Sequence, residues 1–125
     1  MGKITIQSKR VYDLVHDSDG YRVLVDRLWP RGFSKEKIKI NLWCKELAPS
    51  NMLCQWLDGD VKRWDKFKKN YLIELGNKHE LIREILFGKN RARVTLLYSS
   101  KDTELNYVSI LQQYMENIFD TPLQL

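Results

Sequence analysis

The stretch Val23-Leu24-Val25-Asp26-Arg27-Leu28-Trp29-Pro30-Arg31-Gly32 joins an apolar run to a stiff, doubly basic loop. Residues 21–28 are predicted to form a strand. Its continuous apolar centre indicates burial on both faces, as in a parallel or mixed sheet. Pro30 keeps the preceding Trp29 out of helical conformations, and Gly32 permits a tight exit from the loop. This loop is therefore the first candidate for a functional site.

Further strands and helices are predicted on both sides of this stretch. Alternating or continuous apolar residues predict strands at 4–6, 38–44 and 94–98. Helices are predicted after the capping residues Ser34 and Ser50, and over 61–75, 78–87 and 103–118. Because helices connect apolar strands, residues 1–125 are predicted to form a single α/β domain, small and three-layer-like, with a mostly parallel sheet covered by helices.

The net charge of +5 is concentrated in the part of the chain that contains the Trp29 loop. Residues 1–70 carry 15 Lys and Arg against 9 Asp and Glu, whereas residues 71–125 carry 6 against 7. This excess favours an anionic partner, although a solvated basic surface is the alternative. No apolar run approaches the ~20 residues of a membrane span, and no signal peptide is visible, so a cytoplasmic protein without membrane contacts is expected.

The side chains of the loop suit an anionic ligand. Arg27 and Arg31 offer guanidinium groups for an oxyanion, Trp29 offers a stacking surface, and Asp26 stands beside them. The alternative places Trp29 in the core and locks Asp26 to an arginine in a structural ion pair.

A second polar segment, Tyr98-Ser99-Ser100-Lys101-Asp102-Thr103, lies between the last strand and the last helix, with Asn106 one turn further on. Ligands of open α/β sheets bind outside the carboxyl ends of the strands, and free N–H groups at a helix start favour anions. Asp102 or Thr103 is alternatively a plain helix cap. If the sheet is parallel here, both loops emerge at one edge and form one crevice. The predicted ligand-binding residues are Asp26, Arg27, Trp29, Arg31, Ser99, Ser100, Lys101, Asp102 and Asn106.

Several motifs are absent from the sequence. The six glycines never cluster, which excludes a phosphate-binding P-loop and a dinucleotide fingerprint. Cys44 and Cys54 have no metal-ligand or redox spacing, so no metal and no cofactor are predicted. Cys54 follows Ser50 closely, where a helix start could lower its pKa; the alternative is a small buried side chain.

Four blocks of the sequence resemble the YeaO-like proteins of domain-of-unknown-function family 488. The blocks are Arg10-Val11-Tyr12-Asp13 with Asp19 to Gly32, Leu47-Ala48-Pro49-Ser50, Arg63-Trp64 with Phe67, and Val94 to Tyr98 with Lys101-Asp102. The resemblance spans nearly the whole chain. It implies a small bacterial or archaeal cytoplasmic α/β protein, and it implies no established activity.

The chain departs from the family pattern at two positions. Where family members commonly carry an arginine, this chain has Cys54, and where they commonly carry a histidine after an asparagine on the last helix, it has Tyr107. General acid–base catalysis by a histidine at that place is therefore not expected, whereas oxyanion binding through Arg27 and Arg31 would survive.

Two functions are predicted from these observations. The first is binding, or binding and transformation, of a small anionic ligand in the crevice, with Lys101 or Asp102 polarising the ligand or moving a proton. The alternative is a nucleic-acid-binding or regulatory module that uses the basic residues Lys35, Lys37, Lys39, Lys45 and the helix face of 62–69. The sequence identifies no catalytic residue, and it leaves enzymatic activity and oligomeric state open.

Overall fold

The computed structural model describes residues 4–88, 91–101 and 106–120, the side chains of 119 and 120 excepted. Strands lie at β1 (Thr5–Arg10), β2 (Tyr21–Leu24), β3 (Leu42–Trp43) and β4 (Arg93–Tyr98). The α-helices are α1 (Lys35–Ile38), α2 (Asn51–Leu57), α3 (Trp64–Gly76), α4 (His79–Phe87) and α5 (Tyr107–Asp120). No helix in these ranges has the length and apolar character of a membrane span.

The four strands form one sheet in the order β1-β4-β2-β3, and every neighbouring pair is parallel. The two inner strands are aligned so that Val23 of β2 lies opposite Leu96 of β4. The predicted α/β class and mostly parallel sheet are therefore confirmed. Because all strands run in the same direction, the segments that follow them emerge at one edge, which we call the carboxyl edge.

The two faces of the sheet are covered unequally. Val23 and Val25 point to one face, where they pack in a large apolar cluster with residues of α3, α4 and α5, such as Tyr71 and Leu111. Leu24 points to the other face, where it packs in a smaller cluster with Val11, Ile38 and Leu97. All three residues of the apolar run 23–25 are fully buried, as the sequence predicted.

The predicted strand at 38–44 is wrong in its first half. Ser34 caps a helical turn by accepting a hydrogen bond from the Lys37 N–H, and α1 ends at Ile38. Lys39 then takes a left-handed conformation with φ of 49°, which breaks any extended run. The side chain of Arg22 donates to the carbonyl oxygens of Ile38 and Lys39, so a tertiary contact holds this turn in place.

Other boundaries also differ from the predictions. The second strand ends at Leu24 instead of residue 28, although the Val25 N–H still donates to Leu97. Residues 61–63 form a separate 3-10 turn before α3. Helix α4 begins at His79, one residue after the predicted start. By contrast, Ser50 caps α2 as predicted, by accepting from the Leu53 N–H.

A buried polar network lies on the thinly covered face of the sheet. Asp19 is 2% exposed and forms ion pairs with Arg22, which is 4% exposed, and with Lys9, at 3.0 Å. Thr95 on β4 donates to the Asp19 carbonyl oxygen, and Gln7 on β1 donates to Thr95. The network therefore joins the 3-10 turn at Asp17–Asp19 to three strands.

Gly20, which leads from this turn into β2, offers a direct stability test. It has φ of 67° and ψ of −129°, a region open essentially to glycine, and an added Cβ would lie 2.4 Å from the Arg93 carbonyl oxygen. We expect Gly20→Ala to lower the free energy of unfolding by about 2 kcal/mol. Gly59 is the matched control, because it has φ of 68° but nothing within 4 Å of an added Cβ. Gly59→Ala should cost about half as much in urea unfolding; equal costs would contradict the close approach at Gly20.

Candidate functional site

A cavity of about 540 Å³ opens to solvent at the carboxyl edge of the sheet. Its walls come from the segments that follow all four strands, together with the first turns of α2 and α5. The residues that line this carboxyl-edge cavity are Tyr12, Asp26, Arg27, Leu28, Trp29, Pro30, Arg31, Ala48, Pro49, Asn51, Cys54, Ser99, Ser100 and Tyr107. The parallel sheet therefore brings the two predicted loops together at one edge, as the topology required.

Asp26 links the two loops at the base of the cavity. Its Oδ2 accepts hydrogen bonds from the Ser99 N–H at 2.8 Å and from the Ser99 hydroxyl at 2.7 Å. Its Oδ1 lies 2.7 Å from the hydroxyl of Tyr107. Asp26 thus pairs with Ser99 and Tyr107, and within the described ranges it forms no ion pair with an arginine. The predicted Asp26–arginine alternative is wrong because uncharged donors occupy both carboxylate oxygens.

Tyr107 stands at the start of α5 and is held from two sides. Its hydroxyl lies within reach of two acceptors, Asp26 Oδ1 and the Val25 carbonyl oxygen, at 2.7 and 2.9 Å. Its ring meets the fully buried ring of Tyr71 edge-on, with centroids 5.9 Å apart. Burial, and then the charge of Asp26, raises the pKa of Tyr107 well above the usual range. The side chain is therefore a neutral hydrogen-bond donor at physiological pH.

Two arginines bring positive charge to the cavity. Arg27 is half-buried, and one N–H of its guanidinium donates to the Pro49 carbonyl oxygen at 2.7 Å, which leaves its other donors for a ligand. Arg31 is exposed, and the structure gives its guanidinium no partner within residues 4–88, 91–101 and 106–118. Among the described residues, the lining carries the two positive charges of Arg27 and Arg31 against the one negative charge of Asp26.

Trp29 is both a wall of the cavity and part of the core, so the two interpretations of this residue do not exclude each other. Its indole N–H donates to the Phe33 carbonyl oxygen at 2.8 Å, and its ring meets Trp43 edge-on at 5.3 Å. It also packs against the smaller apolar cluster on the sheet face. The ring is therefore held in place before any ligand arrives.

Cys54 faces the cavity from α2 and is exposed, not buried as one alternative had it. Its thiol lies 3.8 Å from the Pro49 carbonyl oxygen. Partial desolvation raises the pKa of this thiol above its ordinary value of 9.0, although the nearby charge of Arg27 acts in the opposite direction. A lowered pKa at a helix start was the other prediction, and it is wrong because desolvation outweighs the neighbouring charge.

The second predicted loop contributes only part of its length to the lining. Ser99 and Ser100 line the cavity, whereas Lys101 is exposed and is not among the lining residues. Asn106 is 6% exposed, and its side chain accepts a hydrogen bond from the Val108 N–H, so it caps α5 and faces the helix start. Asp102 lies outside the described residues.

The sequence reasoning missed several lining residues. Tyr12 follows β1, and Pro49 and Asn51 follow β3 and the 3-10 turn at Lys45–Leu47. All three reach the carboxyl edge because they follow parallel strands. The order of the strands was the missing information, because it decides which loops are neighbours. A signal was present in the break at Ala48-Pro49-Ser50, which marks the end of a strand segment.

The part of the chain that the structure describes contains no group of three His, Cys, Asp or Glu side chains placed to hold a metal ion. His16 precedes the 3-10 turn at Asp17–Asp19, and His79 begins α4; neither lines the cavity. The titratable groups of the cavity are therefore Asp26, Cys54, Tyr107 and the two arginines, together with Tyr12 at the rim.

Comparison with known proteins decides the family. Residues 5–122 match the family described as the inactive DUF488-N3 subclade. The chain belongs to this DUF488 subclade. The chain is 38% identical over 115 residues to the uncharacterized protein YeaO of Escherichia coli. The aligned region covers 92% of this chain and 100% of YeaO. It is 33% identical over 110 residues to uncharacterized proteins of Mycobacterium bovis and Mycobacterium tuberculosis, covering 88% of this chain and 92% of theirs. No solved structure matches.

The resemblance predicted from sequence is thus confirmed. The structure gives a location to the two positions at which a departure from the family pattern was expected. Cys54 and Tyr107 come from different helices, yet both line the carboxyl-edge cavity beside Arg27 and Asp26. The two positions at which a departure from the family pattern was expected therefore both lie at the candidate site.

The basic residues on which the nucleic-acid alternative rests are exposed to solvent, as that prediction requires. Two exposed aromatic rings accompany them: Lys45 lies over the ring of Trp43 at 5.4 Å, and Arg63 lies over the ring of Trp56 at 5.4 Å. Both tryptophans are exposed, Trp43 at 37% and Trp56 at 38%. Binding of nucleic acid stays a prediction.

Proposed function

We propose that the carboxyl-edge cavity binds a small anionic ligand and does not transform it. The observation that carries this proposal is the charge arrangement of the lining. Arg27 and Arg31 face the cavity, and Asp26 is the one carboxylate among the described lining residues. Both of its oxygens already accept hydrogen bonds, from Ser99 and Tyr107. A ligand anion would therefore meet guanidinium donors beside a carboxylate that is already paired.

The same contacts favour binding over catalysis. A general base needs an oxygen or nitrogen that is open to the substrate, and a nucleophilic cysteine needs a thiolate. Asp26 directs three of its roughly four acceptor sites to Ser99 and Tyr107. The raised pKa values of Cys54 and Tyr107 keep both groups protonated at neutral pH. The description of the subclade as inactive agrees with this role.

Arg31→Ala tests the proposal directly. Arg31 is exposed, so its removal should leave the fold intact, and we expect the dissociation constants of phosphate and small carboxylate ligands to rise about tenfold, the loss of one charge-assisted contact. Isothermal titration calorimetry would measure the change. Lys66→Ala is the matched control, because it removes one positive charge from an exposed position outside the cavity. Equal losses in the two variants would show only a net-charge effect and would contradict a site at Arg31.

A further inference from the structure

The rim of the carboxyl-edge cavity is apolar and open. Leu28 is 78% exposed and Tyr12 is 48% exposed, and both line the cavity. Pro30 and Pro49 continue the apolar surface inward, beside the half-buried ring of Trp29. Apolar side chains that gather around a cavity, with a few polar groups among them, are typical of sites for organic ligands.

The ring of Tyr12 is held in position by Arg10 and Phe33, which do not line the cavity. The guanidinium of Arg10 lies 4.9 Å from the centre of the Tyr12 ring, and the same guanidinium donates to the carbonyl oxygens of Ser99 and Ser100 at 3.1 Å. On its other side Tyr12 meets Phe33, with ring centroids 5.2 Å apart. A flat ligand would therefore find the Tyr12 ring already placed, and little conformational entropy would be lost on binding.

The size of the cavity exceeds what an inorganic anion needs. A volume of about 540 Å³ falls in the range of roughly 300–1,000 Å³ that holds organic ligands. The cationic groups come from the loop of Arg27 and Arg31, whereas Tyr12 follows a different strand. A ligand that uses the whole lining must therefore carry a charged group and an apolar body.

We propose that the ligand is an organic anion with a flat apolar body, whose charged group meets Arg27 and Arg31 and whose body lies between Tyr12, Leu28 and Trp29. This inference rests on the proposed function and narrows it to a ligand class. Inorganic anions would bind to the same arginines but with much lower affinity, because they leave the apolar surface in water.

Two pairs of ligands test the inference by calorimetry. Phenyl phosphate and methyl phosphate share a phosphate group and differ in the ring, and benzoate and acetate make the same comparison for a carboxylate. In at least one pair the aromatic member should bind ten or more times more tightly than its partner. The Leu28→Ser variant should reduce that preference about threefold, by weakening the aromatic member more than its partner, because the proposal places Leu28 against the apolar body. Ile73→Ser is the matched control, because Ile73 is 66% exposed on α3 and does not line the cavity.

The outcomes separate this inference from the proposed function. Equal affinities within both pairs would overturn the ligand class and leave anion binding standing. Absence of binding by all four ligands would overturn both. If Leu28→Ser and Ile73→Ser reduced the preference for the aromatic ligand equally, the ligand body would lie elsewhere on the surface. That result would overturn the inference.

Discussion

Asp19→Ala is expected to lower the free energy of unfolding by about 4 kcal/mol, the largest effect that we predict for a single side chain. Asp19 is buried beside Arg22 and also pairs with Lys9 at 3.0 Å. Removing the carboxylate leaves the buried guanidinium of Arg22 with only carbonyl partners, those of Ile38 and Lys39. An uncompensated buried charge is costly because the interior solvates it far less well than water does.

Asp17→Ala is the matched control for this prediction. Asp17 belongs to the same 3-10 turn but is exposed, so its loss should change stability by no more than about 0.5 kcal/mol. Urea unfolding followed by circular dichroism would compare the two variants. If Asp19→Ala were as mild as Asp17→Ala, the ion pair with Arg22 would not be a source of stability.

The loss of folding stability at low pH gives a second measurement of the ion pair between Asp19 and Arg22. Burial alone raises the pKa of Asp19, but hydrogen bonds from Lys9, the His16 N–H and Arg22 lower it more, so its pKa lies below the ordinary 3.8. A carboxyl group whose pKa is lower in the folded state contributes fully above the pKa of the unfolded chain. The stability difference between the wild type and Asp19→Ala should therefore be constant above about pH 5 and shrink as the pH falls below 3.8.

Asp26→Ala is expected to cost about 3 kcal/mol, whereas Asp26→Asn should cost less than about 1 kcal/mol. Alanine would leave the N–H and hydroxyl of Ser99 without their acceptor, together with the Tyr107 contact. Asparagine keeps one oxygen for Ser99 and turns its amide N–H towards Tyr107. The Tyr107 hydroxyl has one proton, so it can accept from this amide while it donates to the Val25 carbonyl oxygen, 2.9 Å away.

The two substitutions also have opposite consequences for the proposed ligand. Asp26→Asn removes the negative charge that the described residues contribute to the lining and should lower the dissociation constant of an anion, whereas the stability of the fold remains close to that of the wild type. Thermal unfolding and calorimetry on the same samples would measure both effects. A loss of stability in Asp26→Asn as large as in Asp26→Ala would refute the hydrogen-bond exchange at Tyr107. Weaker anion binding by a folded Asp26→Asn would contradict the charge argument.

Much of the fold could be predicted because its signals are local. The run 23–25 is apolar at every position, and a strand buried on both faces needs no other pattern. The caps at Ser34 and Ser50 depend on an N–H three residues away, so the sequence contains both partners. The strand predicted from residue 38 failed because the left-handed turn at Lys39 is held by Arg22, which no local pattern reveals.

The candidate site was predictable in outline only. The basic loop and the serine loop were found from their residue types, and a parallel sheet brings them to one edge. Tyr12 and Pro49 were not found, because their place in the cavity depends on the strand order β1-β4-β2-β3. Asn106 was expected to face a ligand, yet its side chain accepts from the Val108 N–H, since a helix start needs an acceptor there.

The sequence by itself determined the α/β class, the apolar centre of the sheet and the basic loop, because burial and backbone stiffness depend on neighbouring residues. The tertiary structure alone decided what Asp26 does. Its partners Ser99 and Tyr107 lie 73 and 81 residues further along the chain, and only the alignment of β2 beside β4 brings them within hydrogen-bonding distance. That pairing directs the Asp26 carboxylate towards protein donors, whereas the guanidinium groups of Arg27 and Arg31 keep donors open to a ligand.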